Sequence, residues 1–251
     1  MKQVRYVANV SNFTKIQGNP IAYWFSLKTF SVYERSKCLA KVALPRLGMT
    51  TADNNKFLRQ WFEVKRNKCI FNATTQEEVS VGNYKWVAYN KGGSFRKWYG
   101  NLDFVVNWDN EGYEIKHFGE EQGHIRSTVP NTEYYFLECG TWSKISTGMF
   151  AMRYRPYGSI FDVAGACLFT KNREKLNNII GYMNSVVVDY LLKALSPTMN
   201  YEGGQIASLP VLNDDNIDEN VVLVVSDNIK LSKDDWDSFE TSWDFKKHPL
   251  I

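Results

Sequence analysis

The sequence predicts an α+β fold: an irregular, twisted, antiparallel β-rich domain with a long amphipathic helix near residues 173–195. Three observations predict it. Between Tyr84 and Phe169, short β-rich segments recur with turns about every ten residues, the spacing of a twisted sheet or partial barrel. Leu176, Ile179, Ile180, Met183, Val187, Tyr190, Leu191 and Ala194 then repeat with the three-four spacing of one helix face. Asn172 suits the N-cap, Glu174 the first turn, and Ser196-Pro197 the stop. The aromatic content is 15%, with 8 Trp, 14 Tyr and 15 Phe, and such residues favour pleated, half-buried surfaces.

In chain order, residues 1–20 read as a linker or docking strand ending at Gly18-Asn19-Pro20. Residues 21–33 are apolar and fit a short helix or a strand; residues 38–44 alternate like a strand. Residues 46–55 carry turn chemistry, and 57–64 fit a helical turn leading into a strand. Strands are expected at 84–89, 104–108, 133–137, 142–145, 150–154 and 159–163. After the helix, 203–211 reads as a turn and short strand, 221–225 as a buried strand, and 230–251 as an extended polar segment. The expected organisation is a linker over 1–20, one domain over 21–212 and an acidic extension over 213–251, opened by the run NDDNIDEN.

Composition excludes little and favours binding over chemistry. The chain has 251 residues, 44% hydrophobic and 23% charged, with a formal net charge of +3. That balance suits an ordinary globular protein, and a local basic face can coexist with an acidic tail. Cys38, Cys69, Cys139 and Cys167 are far apart with no CxxC, which points to reduced thiols rather than a zinc site or disulfide framework. No apolar run reaches the roughly 18–20 residues of a membrane span, and residues 1–10 are not signal-like, so a cytoplasmic protein without membrane contact is expected. His117, His124 and His248 lie in polar contexts without ligand spacing. Gly92-Gly93 and Gly203-Gly204 belong to no phosphate-loop pattern. No catalytic residue, metal or cofactor is assigned to this chain.

The stretch KGGSFRKWYGN, residues 91–101, holds the features of a binding loop: paired glycines, the cations Lys91, Arg96 and Lys97, and the aromatics Phe95, Trp98 and Tyr99. Cations neutralise phosphates and aromatic faces stack on bases or sugars. A β-turn with a solvated rim and one buried Trp explains the same residues. A protein-interaction module, a carbohydrate-binding module and an enzyme such as a nuclease are the competing classes.

Several stretches in order resemble one family. They are NFTKIQGNPIAYWFS (12–26), GMTTADNNKFLRQWFEV (48–64), YNKGGSFRKWYGN (89–101), VVNWDNEGYEIK (105–116), HIRSTVPNTEYYF (124–136), FDVAGACLF (161–169), NSVVVDYLLKALSPTMNYEGGQIASLPV (184–211) and DWDSFETSWDF (235–245). Together they resemble the C-terminal target-recognition region of BREX-type, type IIG-like, adenine-specific DNA methyltransferases of phage-defence and restriction-modification systems. The resemblance implies a catalytic S-adenosylmethionine domain preceding Met1. Asn19-Pro20-Ile21-Ala22-Tyr23 lacks the second proline of the family's Asn-Pro-Pro-Tyr motif, so this chain is not expected to methylate DNA alone. It implies as partners double-stranded DNA, the methyltransferase domain and other defence proteins, with an interaction module docking those proteins or a phage inhibitor as the alternative. It implies DNA contact by Lys91, Arg96 and Lys97, then by Arg126, Lys144, Arg153 and Arg155, with Trp98 and Tyr99 either stacking or buried. Relatives often read Thr-Gly-Asp-Asn where this chain has Thr51-Ala52-Asp53-Asn54; a left-handed backbone there would strain Ala52.

Overall fold

A computed structural model describes residues 7–196, 198–212, 217–248 and 250–251. Residues 10–15 form a short 3-10 helix, capped by Asn9 Oδ1 accepting from Ser11 N at 3.0 Å, and Ile16 behind it is fully buried. Of the expected linker or docking strand, residues 10–16 dock on the core as this 3-10 helix and its apolar anchor, and residues 1–6 lie outside the described residues. Helix α1, Leu27–Arg35, starts where Ser26 Oγ accepts from Thr29 N, and buries Phe30. The expected strand at 38–44 is instead β1 (Lys37–Cys38), a 3-10 turn over residues 39–41, and β2 (Leu44–Arg46).

Helix α2 (Asn54–Phe57) is a single turn capped by Asp53, and runs straight into β3 (Leu58–Gln60). Then come β4 (Cys69–Ile70), α3 (Gln76–Val81), β5 (Trp86–Asn90), β6 (Phe104–Asn107) and α4 (Asp109–Lys116). The strand expected at 133–137 is a 3-10 turn over residues 132–134. Strands β7 (Cys139–Trp142), β8 (Met152–Arg155), β9 (Ser159–Phe161) and β10 (Cys167–Phe169) lead into α5 (Arg173–Met183) and α6 (Val186–Leu195). The last elements are α7 (Gly203–Ala207), β11 (Pro210–Val211) and α8 (Glu219–Trp236).

These elements make an α+β architecture of three sheets. The central one has order β2-β10-β7-β8, all antiparallel. It is buried on both faces: Leu168 of β10 enters one hydrophobic core, while its neighbours Cys167 and Phe169 enter another. The first core gathers Trp142, Met152 and Tyr154 with α1, α5, α6 and α8. The second lies against a sheet of order β3-β6-β5-β4, to which β9 adds by pairing with β5. Most pairings are antiparallel, while β4 and β9 both run parallel to β5, sharing one of its edges. Gly158 permits that junction: a Cβ would lie 2.3 Å from Phe71 O, and its φ is +108°. A two-stranded ribbon, β1 with β11, closes the helical side.

Three further expectations change. The single helix at 173–195 is two, broken at Asn184-Ser185. Asn184 turns its amide to Met152 of β8, accepting from its N–H and donating to its carbonyl, each at 2.9 Å, and Ser185 caps α6. The strand expected at 221–225 and the first part of the extended segment expected at 230–251 are both α8, which is capped by Asp218 and ends at Trp236. Its Val225, Ile229 and Trp236 are core residues, and Gly181 of α5 leaves room for Val225, whose Cγ2 would lie 2.9 Å from an added Cβ. The acidic segment therefore packs on the domain; residues 213–216, which begin it, lie outside the described residues. Pro197, the second residue of the expected stop, lies outside them too.

Two stability outcomes follow. Ala52 has φ +62° on an exposed loop, so Ala52→Gly relieves the left-handed strain and raises unfolding stability by about 0.5–1 kcal/mol in urea denaturation. Ile229→Ala lowers stability by about 2–5 kcal/mol, whereas exposed Leu231→Ala changes it by less than about 0.5 kcal/mol. Equal effects of the two would contradict the docking of α8.

Candidate nucleic-acid interface

The stretch 91–101 emerges from β5 at the junction of the two larger sheets. Lys91 is pinned at its root: Nζ donates to Asp162 Oδ2 at 2.7 Å, and Tyr89 Oη donates to the same oxygen at 2.7 Å. Asp162 is 2% exposed and also accepts from Ala164 N. Burial, reinforced by Asp162, pushes the Tyr89 phenol well above its ordinary pKa, so it stays a donor. Asn90 beside it gives its amide to Thr141 Oγ1 and Gly165 O. Gly92 has φ +86° and faces Ala164 O, which an added Cβ would meet at 2.7 Å.

Beyond Gly93 most of the loop's chemistry is turned inward. Arg96 pairs with Asp235 at 3.1 Å and lies 5.0 Å over the Trp236 ring. Lys97 donates to Asn184 O at 3.0 Å, at the end of α5. Trp98 extends the central sheet beside β8, donating its N–H to Met152 O and accepting from Tyr154 N. Tyr99 is buried, and burial pushes its phenol up to about 12. Only Gly93, Ser94 and Phe95 form an exposed tip. Lys144 pairs with Glu202 at 3.2 Å. Arg153 and Arg155 are corrected as DNA-contacting candidates: they are 1% and 2% exposed on β8, and burial lowers each guanidinium to about 10, still charged at neutral pH. All four cysteines are free thiols, three of them buried, and burial raises Cys139 well above its usual pKa. Among the described residues no cluster of three or more His, Cys, Asp or Glu could hold a metal ion, and no helix is long and apolar enough to cross a membrane.

Lys91 and Arg126 remain near the surface, and the structure joins them through residues the sequence did not single out. Between them lies α2. Phe118 is flanked by Arg126, 5.3 Å from its ring centre, and by Lys56 at 5.0 Å; Phe57 of α2 meets the same ring edge-on. On the other side of α2 is a cleft of about 470 Å³ lined by Asn54, Asn55, Arg59, Gln60 and Lys91, with Glu63 and Phe104 among its walls. Glu63 is occupied in a capping box, accepting from Gln60 N at 2.7 Å. Asn54 Oδ1 accepts from Thr51 Oγ1 and Lys91 Nζ, which aligns the first amide with the cation. The face thus presents exposed amides flanked by cations on a helical turn and an edge strand, two of those cations being paired, Lys56 with Glu114 at 2.8 Å and Lys91 with Asp162. Amides match the adenine major-groove edge, Arg and Lys match guanine or phosphate. The only sequence signal for it was the run Asp53-Asn54-Asn55, which reads equally as turn chemistry.

No family model matches the chain. Two curated relatives match nearly all of it. One, named adenine-specific methyltransferase PglX, of Lacticaseibacillus casei (strain Zhang), is 39% identical over 98% of this chain and 20% of its own length. The other, named adenine-specific methyltransferase BrxX, of Escherichia coli O9:H4 (strain HS), is 36% identical over 96% of this chain and 19% of its own length. The chain spans about one fifth of these relatives. By sequence, therefore, nearly all of this chain is similar to about one fifth of the two adenine-specific methyltransferases PglX and BrxX.

Proposed function

We propose that this chain is the DNA target-recognition module of an adenine-specific methyltransferase in a phage-defence system. The observation that carries the reading is the α2 face, amides between cations, on a chain related throughout to methyltransferases five times its length. Methylation of an adenine amino group requires the base to leave the helix, and that needs a second surface to hold the flanking duplex in register. Asn54, Asn55 and Gln60 are assigned to base edges, and Lys56, Arg59 and Arg126 to phosphates or guanine, beside Lys91, which its pair with Asp162 holds in place. Such a role belongs in the cytoplasm with the DNA.

S-adenosylmethionine is assigned to the remaining length of the relatives. The residues here do not fit it: Gly92 and Gly93, the glycine pair nearest a strand end, are filled by Ala164 O and by the Asn101 side chain, 2.7 and 2.9 Å from an added Cβ. No backbone cradle is left open there.

A second surface favours a protein partner. Tyr23, Trp24 and Phe25, in the turn before α1, pack edge to edge, Phe25 stacks on Tyr190 of α6 at 5.1 Å, and Leu27 of α1 and Val186 and Val187 of α6 are exposed. An exposed apolar patch of this kind marks an interaction site. Its assigned occupant is the catalytic part of the methyltransferase.

Fluorescence anisotropy against duplex DNA tests the reading. Binding is expected at low salt and weakens as salt rises. Arg126→Gln is expected to weaken all sequences alike and to lower the salt slope by about one. Gln60→Ala or Asn55→Ala is expected to cost about 1–3 kcal/mol on the recognised sequence alone, measured once that sequence is known from the methylated sites of the full-length enzyme. Affinity untouched by all three changes would remove the α2 face from DNA recognition.

A further inference from the structure

Arg153 and Arg155 are the largest buried polar side chains that the α2 face does not use. They stand two residues apart on β8, and among the described residues neither forms an ion pair with a carboxylate. Arg153 donates weakly to Arg96 O and Ser143 Oγ, at 3.4 and 3.3 Å. Arg155 gives Nε to Ser159 Oγ at 2.6 Å, and both its Nη atoms are buried without a partner. Uncompensated buried charge is among the costliest things a fold retains. Asp103 lies in the field of Arg155 but pairs with neither arginine, and its own burial raises its pKa.

Next to Arg155 is a cleft of about 430 Å³, within the range that holds small ligands. Ser159, which accepts from Arg155, lines it, as does Trp243, whose ring centre is 5.6 Å from the Arg155 guanidinium carbon. Two further cations line it. Arg66 is exposed and lies 4.3 Å over Phe71; Lys233 lies 5.5 Å over Tyr99. Asn72 adds an amide. Asp244 is the carboxylate in the lining and faces Lys233 at 3.7 Å, and Lys233 also pairs with Asp237 one turn along α8. Aromatic walls with cations and an amide are the chemistry that holds a phosphate on a flat organic group.

We propose that this cleft, bounded by residues 66–72, 156–159 and 233–244, binds the phosphate group of a nucleotide. Arg66, Asn72 and Lys233 contact the anion, and Arg155 supplies positive potential from one side-chain layer behind. The phosphate comes either from a free nucleotide or from a nucleic-acid strand, and the site does not depend on the α2 reading.

The test uses the whole chain. Tryptophan fluorescence and thermal unfolding are followed with sodium phosphate, deoxyadenosine monophosphate and a short DNA duplex, each against sodium chloride at matched ionic strength. The expected result is a rise in Tm and a fluorescence change with phosphate and the mononucleotide, and a loss of at least about tenfold in affinity for Arg66→Gln. Arg155→Met is expected to fold with an equal or higher Tm, since an apolar side chain replaces an unpaired charge, yet to lose the phosphate response. A response to duplex alone that Arg66→Gln abolishes supports the site and names the strand as the source. Absence of any response that Arg66→Gln changes overturns the proposal. So does an Arg155→Met protein that answers phosphate as the native chain does. Asn55→Ala leaves the phosphate response intact, which separates this site from the α2 face.

Discussion

The carboxylate of Asp162 takes Tyr89 Oη and Lys91 Nζ on one oxygen, each at 2.7 Å, and the Ala164 N–H on the other. It sits one residue past β9, where that strand runs out along β5, and its own N–H donates to Asn90 O. The two larger sheets meet at this point. Asn90, the last residue of β5, reaches Thr141 of β7 and Gly165 before β10, so the junction is stitched by side chains rather than by a continuous ladder. A buried carboxylate holds only while its donors are present; losing one leaves a charge in low dielectric at a cost of about 3–5 kcal/mol. Lys91 is thus committed to the fold before it can serve any ligand. The loop 91–101 inherits its path from that commitment, because Gly92 must pass against Ala164 O to let Lys91 stay where it is.

Fold class was legible because the strongest periodic signals are local. Asn172, the cap that the sequence offered, accepts the Lys175 N–H, and Ser26, Asp53 and Ser185 cap their helices by the same bond. What failed was decided by tertiary contact. The β-branched run 221–225 has strand propensity, but α8 lies along α5, where Gly181 clears space for Val225 and Val221. The three-four spacing of 173–195 runs through Asn184-Ser185 because both helices bury faces on the same core, and periodicity does not register that Asn184 is spent on β8. The parallel pairing of β4 and β9 with β5 joins strands far apart in sequence, which local pattern does not encode.

The candidate site was legible in kind but not in place. Lys91-Gly-Gly-Ser-Phe-Arg-Lys-Trp-Tyr has the composition of a nucleic-acid loop, yet Arg96 and Lys97 spend their charge on Asp235 and the end of α5. Composition cannot separate a cation that waits for phosphate from one that closes a helix terminus, since helix C-terminal carbonyls ask for the same charge. The converse held at α2. Asn54 and Asn55 looked like turn residues, and they are, but the turn is exposed on an edge beside Lys91 and Arg59. Arg153 and Arg155 read from the sequence as DNA contacts, but they lie on β8 of the central sheet, which is packed between two cores and offers them no solvated face.

That doubly buried sheet also constrains how the surfaces can act together. The α2 face rests on the core beneath β3 and β6; the aromatic patch of Tyr23, Trp24 and Tyr190 rests on the helices of the other core. Between them lie only β-strands with closely packed side chains, and Leu168, Cys167 and Phe169 of one strand reach both sides. Packed interiors of this kind move as bodies rather than deforming continuously. A duplex held on α2 and a catalytic partner held on the aromatic patch would then be fixed relative to each other by the same strands. Register on the DNA would set the position of the flipped base without a moving part in this chain, and sequence specificity would lie in the identities of a few side chains on α2 and β3, free to vary because the junction at Asp162 and the shared sheet bear the geometry.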